Sequence, residues 1–142
     1  MKRWVRYRTQ GKEEQTDTDR LTELHVPAVP SAPAVARALV AAASPQGAYD
    51  AHTLALLTSE LVSNAVVHAG MAATQDIVVK VADGKCLRVE VLDKGSAFDP
   101  PDQRIRSEPI GGWGLRLVDR LAARWGTQRE DGGNKVWFEL DR

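Results

Sequence analysis

The segment from Asp50 to Ala69 limits the fold of this chain more than any other feature, because it is a long helix-forming run with signals at both ends. Asp50 stands where a side chain caps the first turn of a helix, and Gly70 stands where helices commonly end. Apolar side chains recur at Leu54, Leu57, Leu61 and Ala65. A helix with one such stripe must bury it against another layer of structure.

Strand patterns after this helix predict two β-hairpins. Asp83-Gly84-Lys85 and Asp131-Gly132-Gly133-Asn134 each separate two runs rich in Val, aromatic or alternating residues. An Asp-Gly pair between such runs is a strong hairpin signal. The four strands are predicted at residues 77–82, 87–92, 125–129 and 135–140.

The remaining elements complete an α/β (α+β) pattern. A strand at 21–26 ends at Pro27, a helix follows at 33–43, and another helix runs from Trp113 or Gly114 to Ala123. Prolines interrupt residues 94–110, which predicts a long loop of the kind that forms lids. We expect a two-layer sandwich: a mixed, mainly antiparallel sheet with helices on one face and a lid.

Length and charge limit the number of domains and the classes of partner that the sequence predicts. The 142 residues suit one domain, with a flexible tail at 1–20 and the folded domain at 21–142. Nineteen basic and nineteen acidic residues cancel, so the balance predicts no direct nucleic-acid partner and no membrane surface. A single cysteine, Cys86, and the lack of a secretory signal predict a cytoplasmic protein.

Three polar residues on the long helix are candidates for chemistry. Glu60, Asn64 and His68 are four residues apart, which places them along one stripe of the helix. A carboxylate can accept a proton from a hydroxyl or water, and an Asn oxygen suits Mg²⁺ that is bound with phosphates. The spacing also fits the solvated edge of an ordinary amphipathic helix.

Two glycine-containing segments add further candidates. Asp93-Lys94-Gly95 follows a strand, so Asp93 either begins a turn or accepts a hydrogen bond from a purine amino group. Residues 111–115 open a helix, where free backbone amides favour phosphate oxygens, although a plain loop end has the same composition. The chain has no P-loop sequence and no dinucleotide-binding fingerprint.

Together these segments resemble the ATPase superfamily of DNA gyrase, ninety-kilodalton heat-shock chaperones, sensor histidine kinases and mismatch-repair ATPases. Residues 59–69 (SELVSNAVVHA) and 112–118 (GWGLRLV) look like the small anti-sigma-factor serine/threonine kinases. Trp125-Gly126 and residues 136–140 (VWFEL) also suit that branch. The resemblance covers residues 24 to 140.

The resemblance implies that ATP lies between the helical layer and a lid. In the family pattern the position of Glu60 is the catalytic base, that of Asn64 holds Mg²⁺, and that of Asp93 binds adenine. His68 would lie near the phosphates, or would simply pack within the helix. The resemblance places the other nucleotide contacts at Gly95, Ala97, Gly112, Trp113, Gly114 and Leu115.

Two positions depart from the family pattern. Ala97 stands where many relatives have a second glycine after Asp-x-Gly. Asn134-Lys135-Val136 stands where relatives often have a Thr for a hydrogen bond beside adenine. Both departures predict reduced nucleotide affinity.

The expected activity is transfer of the ATP γ-phosphoryl group to a hydroxyl on a small antagonist protein, with a sigma factor as the regulated partner. Homodimer formation is expected from the resemblance alone. The alternative is a nucleotide-dependent module that sequesters a sigma factor or other regulator without phosphoryl transfer. The catalytic domain of a sensor histidine kinase is disfavoured, since no second domain offers a phosphoacceptor helix pair.

Overall fold

The structure, a computed structural model, describes residues 5–7, 20–68, 76–94, 113–130 and 132–142. These residues form six strands and three helices. In chain order they are β1 Val5–Tyr7, β2 Arg20–Pro27, α1 Ala32–Ala43, α2 Ala51–His68, β3 Asp76–Asp83, β4 Cys86–Asp93, α3 Trp113–Leu121, β5 Arg124–Glu130 and β6 Gly133–Asp141.

The strands form one sheet in the order β1-β2-β3-β4-β6-β5. Every pairing between the described strands is antiparallel. Both predicted hairpins are present as β3–β4 and β5–β6. The predicted two-layer fold is therefore confirmed, and the described part of its sheet contains antiparallel pairs alone rather than a mixture.

One face of the sheet carries the core, because alternate residues of each central strand point to the same side. The buried positions of β3 and β4 are Ile77, Val79, Val81, Leu87, Val89 and Val91. Helices α1 and α2 pack on this face, and α3 packs beside α2 and β5. The opposite side of the sheet, which we call the outer face, carries half-buried polar and charged residues on the same strands.

The ends of α2 agree with the sequence signals where they are described. The Asp50 side chain accepts a hydrogen bond from the backbone amide of Thr53 at 3.2 Å and another from the Thr53 hydroxyl. These bonds satisfy the first turn of the helix and lower the pKa of Asp50, the Thr53 hydroxyl contributing most. Gly70, the predicted stop, lies outside the described residues.

Helix α3 ends two residues earlier than predicted, at Leu121 rather than Ala123. The Ala123 amide donates instead to the Glu139 carbonyl oxygen of β6 at 2.8 Å. The chain thus leaves the helix to join the sheet, where Arg124 begins β5.

The strand β1 lies within the segment predicted as a flexible tail. Val5–Tyr7 pair antiparallel with residues 22–24 of β2, and Arg20 already belongs to β2. Most of the tail lies outside the described residues, so a domain boundary at residues 20 and 21 stays a prediction. None of the described helices has the length and apolarity needed to cross a membrane.

The outer face explains the Trp-Gly pair of the closing hairpin. A Cβ atom at Gly126 would lie 2.8 Å from the Trp137 ring, so glycine lets the indole lie across β5. Arg88 stacks over the same ring, 3.9 Å from its centroid. Arg88 also binds Glu139 at 3.0 Å, and this cation, Trp137 and Gly126 form one packed layer across three strands.

Candidate functional site

The two ends of the sheet carry different residues. We call the end with Asp93, the last residue of β4, the Asp93 end; it also holds Asn134 of β6, since these residues pair. The opposite end holds Asp83 of β3, and we call it the Asp83 end. Since Val78 pairs with Leu92, β3 begins at the Asp93 end and finishes at the Asp83 end.

The direction of α2 follows from the loop before it. The Tyr49 hydroxyl donates to the Asp83 carboxylate at 2.8 Å, which fixes the α1–α2 loop at the Asp83 end. Helix α2 packs across β4 and β6 and leads into β3, which begins at the Asp93 end. The second half of α2, with Glu60 and Asn64, therefore lies toward the Asp93 end.

Element lengths agree with this direction, since α2 up to Asn64 and β4 up to Asp93 have similar lengths. From residue 51 to residue 64, α2 rises about 20 Å at roughly 1.5 Å per residue. From residue 86 to residue 93, β4 extends about 24 Å at roughly 3.4 Å per residue. Glu60 and Asn64 are half-buried, as expected at the edge of the core face. His68 is the last residue of α2, and the position of its side chain lies outside what the structure describes.

Helix α3 points its amino terminus toward the same end. Ala123, just after α3, bonds to Glu139, which pairs with Arg88 near the beginning of β4. The carboxyl end of α3 is thus at the Asp83 end, and its first residues, Trp113 and Gly114, lie toward the Asp93 end. A helix amino terminus presents unpaired backbone amides and partial positive charge.

Asp93 is the most enclosed of the described polar candidates. Its side chain belongs to the helix-facing set of β4, and the residue is 8 % exposed. Asn134, which is 6 % exposed, donates from Nδ2 to Asp93 Oδ1 at 3.0 Å. A buried carboxylate needs such a donor, because an unpaired one loses hydration without compensation.

Gly133 packs directly against Asp93. A Cβ atom at Gly133 would overlap the Asp93 carbonyl oxygen. Glycine is therefore required here for close approach of β6 to β4 and not for an unusual φ. Gly132, before it, adopts φ +73°, the left-handed conformation that favours glycine in the hairpin turn.

Several predicted site residues lie on elements directed toward one end of the fold. The second half of α2, with Glu60 and Asn64, the end of β4, with Asp93, and the beginning of α3 are all directed toward the Asp93 end. Leu115, predicted among the nucleotide contacts, is 4 % exposed and belongs to the core, which holds α3 in place. Gly95, Ala97, Gly112 and most of the predicted lid at 94–110 lie outside the described residues.

Magnesium is compatible with this donor set only as a nucleotide-bound ion. The described residues contain no group of three or more His, Cys, Asp or Glu side chains that could hold a metal. Mg²⁺ commonly keeps several waters and takes one or two protein oxygens together with phosphate oxygens. A half-buried Asn64 on the helix edge fits that pattern, with phosphates as the main ligands.

A cavity of about 210 Å³ also reaches the Asp93 end. Val78, Lys80 and Leu92, which belong to the outer face, form part of its lining together with Asp93 and Asn134. Sites for drug-sized ligands usually measure roughly 300–1,000 Å³. This cavity opens mainly on the outer side of the sheet, away from α2 and α3.

Arg129 contacts Asn134 and Gly132, and the sequence patterns did not predict these contacts. It donates from Nη1 to Asn134 Oδ1 at 3.2 Å, and from Nη2 to the Gly132 carbonyl at 3.4 Å. The strand pairing explains the contact, since residue 129 lies opposite residue 134 in the register of β5 and β6.

Comparison with known proteins identifies the protein family to which the chain belongs. Residues 23–140 match the family model of the histidine kinase-like ATPase domain (HATPase_c_2), and the chain belongs to that family. ATP is therefore the expected nucleotide. A search of curated proteins gave no significant match.

Two solved structures are similar to this chain. One holds the RsbU and RsbW domains of Rv1364c from Mycobacterium tuberculosis, with 21% identity and a TM-score of 0.63 over 85% of this chain and 32% of that one. The other is the histidine kinase domain of the blue-light activated histidine kinase from Erythrobacter litoralis EL346, with 20% identity, a TM-score of 0.49, and coverage of 94% and 66%. The chain thus spans about a third and about two thirds of these structures, and the first likeness confirms the fold.

Proposed function

We propose that this domain binds Mg-ATP and transfers the γ-phosphoryl group to a hydroxyl on a small antagonist protein, as a serine/threonine kinase of the anti-sigma type. The observation that supports the proposal is the shared direction of three elements. Glu60 and Asn64 of α2, Asp93 of β4 and the amino terminus of α3 come from distant segments and are all directed toward the Asp93 end.

Asp93 would recognise the base. Ionised carboxylates only accept hydrogen bonds, so Asp93 suits the exocyclic amino group of adenine. Its burial removes competing water, which strengthens a hydrogen bond to a matching donor and penalises a mismatched one. Gly95 would let the backbone approach the ring.

The phosphates would lie between α2 and the beginning of α3. Backbone amides at Gly112 and Gly114 would bind phosphate oxygens, aided by the helix dipole. Mg²⁺ held through Asn64 would offset phosphate charge. Glu60, one helical turn away on the same side of α2, would accept the proton of the attacking hydroxyl. Catalysis of this kind is mostly positioning and electrostatic stabilisation.

The expected protein partners of this reaction are a sigma factor and a small antagonist protein. The RsbW domain named in the similar structure belongs to that protein, and at 21% identity its likeness supports the fold alone. A sigma factor and a hydroxyl-bearing antagonist follow from the sequence resemblance, as do homodimer formation and action in the cytoplasm. A partner screen with radiolabelled ATP addresses them directly.

A Glu60→Gln variant tests the role of the carboxylate. We expect it to bind Mg-ADP with wild-type affinity, since the side-chain volume is kept, and to lose transfer of label from γ-labelled ATP to the antagonist by at least about a hundredfold. Glu23→Gln on the outer face removes the same charge away from the site and should transfer label normally. Unchanged transfer in Glu60→Gln would exclude Glu60 as the base.

The wild-type result separates the two functional hypotheses. Labelling of the antagonist supports the kinase. Tight Mg-ATP binding with no labelling of any partner, combined with nucleotide-dependent capture of a regulator, supports a sequestering module instead. Absence of adenine-nucleotide binding would refute both.

A further inference from the structure

The cavity on the outer face of the sheet lies away from the helix-covered side, where the nucleotide is proposed to bind. Its volume is about 210 Å³. An engineered apolar cavity of about 150 Å³ holds benzene, so a cavity of this size has room for a molecule of roughly eight to ten heavy atoms. The volume therefore suits a small metabolite and is too small for a nucleotide.

Apolar side chains form the floor of the cavity. Val78 of β3 and Leu92 of β4 pair in the strand register, so they lie side by side on the outer face. Both residues are half-buried. A ligand with a short hydrocarbon segment would cover these two side chains and remove their remaining apolar surface from water.

Charged side chains surround this floor. Asp76 and Lys80 lie on β3 two residues to either side of Val78, and side chains at this spacing share a face of the strand. Glu23 of β2 pairs with Lys80. All three charged residues are half-buried and line the cavity. One end of the cavity thus carries an ammonium group beside a carboxylate, and the other end carries a second carboxylate.

These three charges have few partners within the described part of the chain. Neither Lys80 nor Asp76 forms a hydrogen bond or an ion pair with any described residue. Glu23 accepts from His25 Nε2 at 2.9 Å through Oε1 alone. Glu90, the other neighbour of Lys80 in the register, accepts instead from a guanidinium group on its own strand. Half-buried charges gain most from a ligand that supplies the missing partners.

The charge of the whole lining favours a cationic ligand. Three carboxylates and two ammonium groups line the cavity, which leaves one negative charge; these residues are Glu23, Asp76, Asp93, Lys80 and Lys94. Electrostatic complementarity therefore favours a ligand with one net positive charge. A basic α-amino acid has this charge, since it carries one carboxylate and two cationic groups on a short methylene stem.

We infer that this cavity is a binding site for a basic α-amino acid of the size of ornithine or lysine. Lys80 and Glu23 bind the α-carboxylate and the α-ammonium group, which every amino acid carries side by side. Asp76 binds the terminal cation, and the methylene stem covers Val78 and Leu92. Phosphoryl transfer takes no part, so the inference is independent of the proposed function. Glu23→Gln changes this cavity and leaves the residues proposed for phosphoryl transfer untouched.

Calorimetric titration of the full chain with L-ornithine and L-lysine tests the inference. L-Norvaline lacks the terminal amine, and 1,4-diaminobutane lacks the carboxylate. We expect each to bind at least about tenfold more weakly than ornithine, the difference made by one charge-assisted contact. Diaminobutane that binds as tightly as ornithine overturns the inference, and so does an absence of ornithine and lysine binding up to about 10 mM. This comparison uses the wild type alone and does not depend on the folding of any variant.

Two variants assign the ends of the ligand. Asp76→Asn should weaken ornithine at least about tenfold and leave norvaline unchanged, whereas Lys80→Met, which keeps the length of the side chain, should weaken both. Lys85→Met removes the same charge at an exposed position in the β3–β4 turn and should bind ornithine as the wild type does. Equal ornithine binding by all three variants and the wild type overturns the inference. Circular dichroism of each variant checks that the fold is intact.

Discussion

Thr58, in the middle of α2, offers a test of the packing that supports the site. The residue is fully buried, and its hydroxyl oxygen has no hydrogen-bond partner among the described residues. Helical Thr hydroxyls commonly bond to a backbone carbonyl one turn earlier. Thr58→Val replaces the hydroxyl with a methyl group of similar size and keeps the β-branched shape. The substitution therefore removes an unpaired polar atom without opening a cavity.

The expected gain follows from the cost of that unpaired hydroxyl. A buried polar group without a partner costs about 1–3 kcal/mol, and replacement by an apolar group of the same shape removes the cost. We expect the free energy of unfolding to rise by about 1–2 kcal/mol. In a chain of this length that corresponds to a rise in Tm of roughly 3–8 °C.

Urea unfolding followed by circular dichroism measures the change, and an unaltered m-value would show that compactness is preserved. Thr53→Val on the same helix is the matched control. Its hydroxyl bonds to Asp50, so the same substitution should lower stability by about 0.5–1.5 kcal/mol. A loss of 1 kcal/mol or more in Thr58→Val would refute the reasoning, because it would mean that the hydroxyl is bonded in solution.

Three further predictions follow from the strands. Gly133→Ala should lower the free energy of unfolding by more than about 2 kcal/mol in urea unfolding, and weaken ADP binding in calorimetric titration, because its Cβ atom would overlap the Asp93 carbonyl oxygen. Burial and the bond to Asp83 raise the pKa of Tyr49 from 10.0 to about 12, so ultraviolet titration should show one late phenol, absent in Tyr49→Phe. The stability from this neutral phenol is complete below pH 10 and lost as pH rises through about 12. Burial opposes ionisation of Glu139, but two bonded guanidinium groups outweigh it and lower its pKa. Thermal unfolding of Glu139→Gln should therefore show a smaller loss of stability below about pH 4.5 than the wild type.

Most of the fold was predictable because its signals are local. The Asp50 cap defined the beginning of α2, and Asp-Gly pairs located both hairpins. Strand β1 was not predicted, since Val5–Tyr7 lies among charged residues without periodicity and is identified by backbone pairing with β2. Backbone pairing of an edge strand leaves little trace in side-chain pattern.

The candidate site likewise contains residues with local sequence signals and residues that depend on strand pairing. Asp93 and the Glu60–Asn64 pair were predicted from residue type and spacing, together with a family resemblance. Arg129 and the need for glycine at position 133 depend on which residues face each other across β4, β5 and β6. Register is a property of paired strands, so one strand read alone does not reveal it.

Antiparallel topology explains why distant segments meet at one end. Helix α2 and strand β4 both run toward the Asp93 end, and α3 runs away from it, so the second half of α2, the last residue of β4 and the first turn of α3 coincide. The position of Asp93 is fixed by the sheet, whereas the positions of Glu60 and Asn64 are fixed by α2. A shift of α2 would move the two helical residues together, since they are one turn apart, and would leave Asp93 with Asn134 in place. Under the proposed function, base recognition would therefore depend on the sheet and phosphoryl transfer on α2, so a partner that contacts α2 would have a physical route to alter transfer while nucleotide specificity is unchanged.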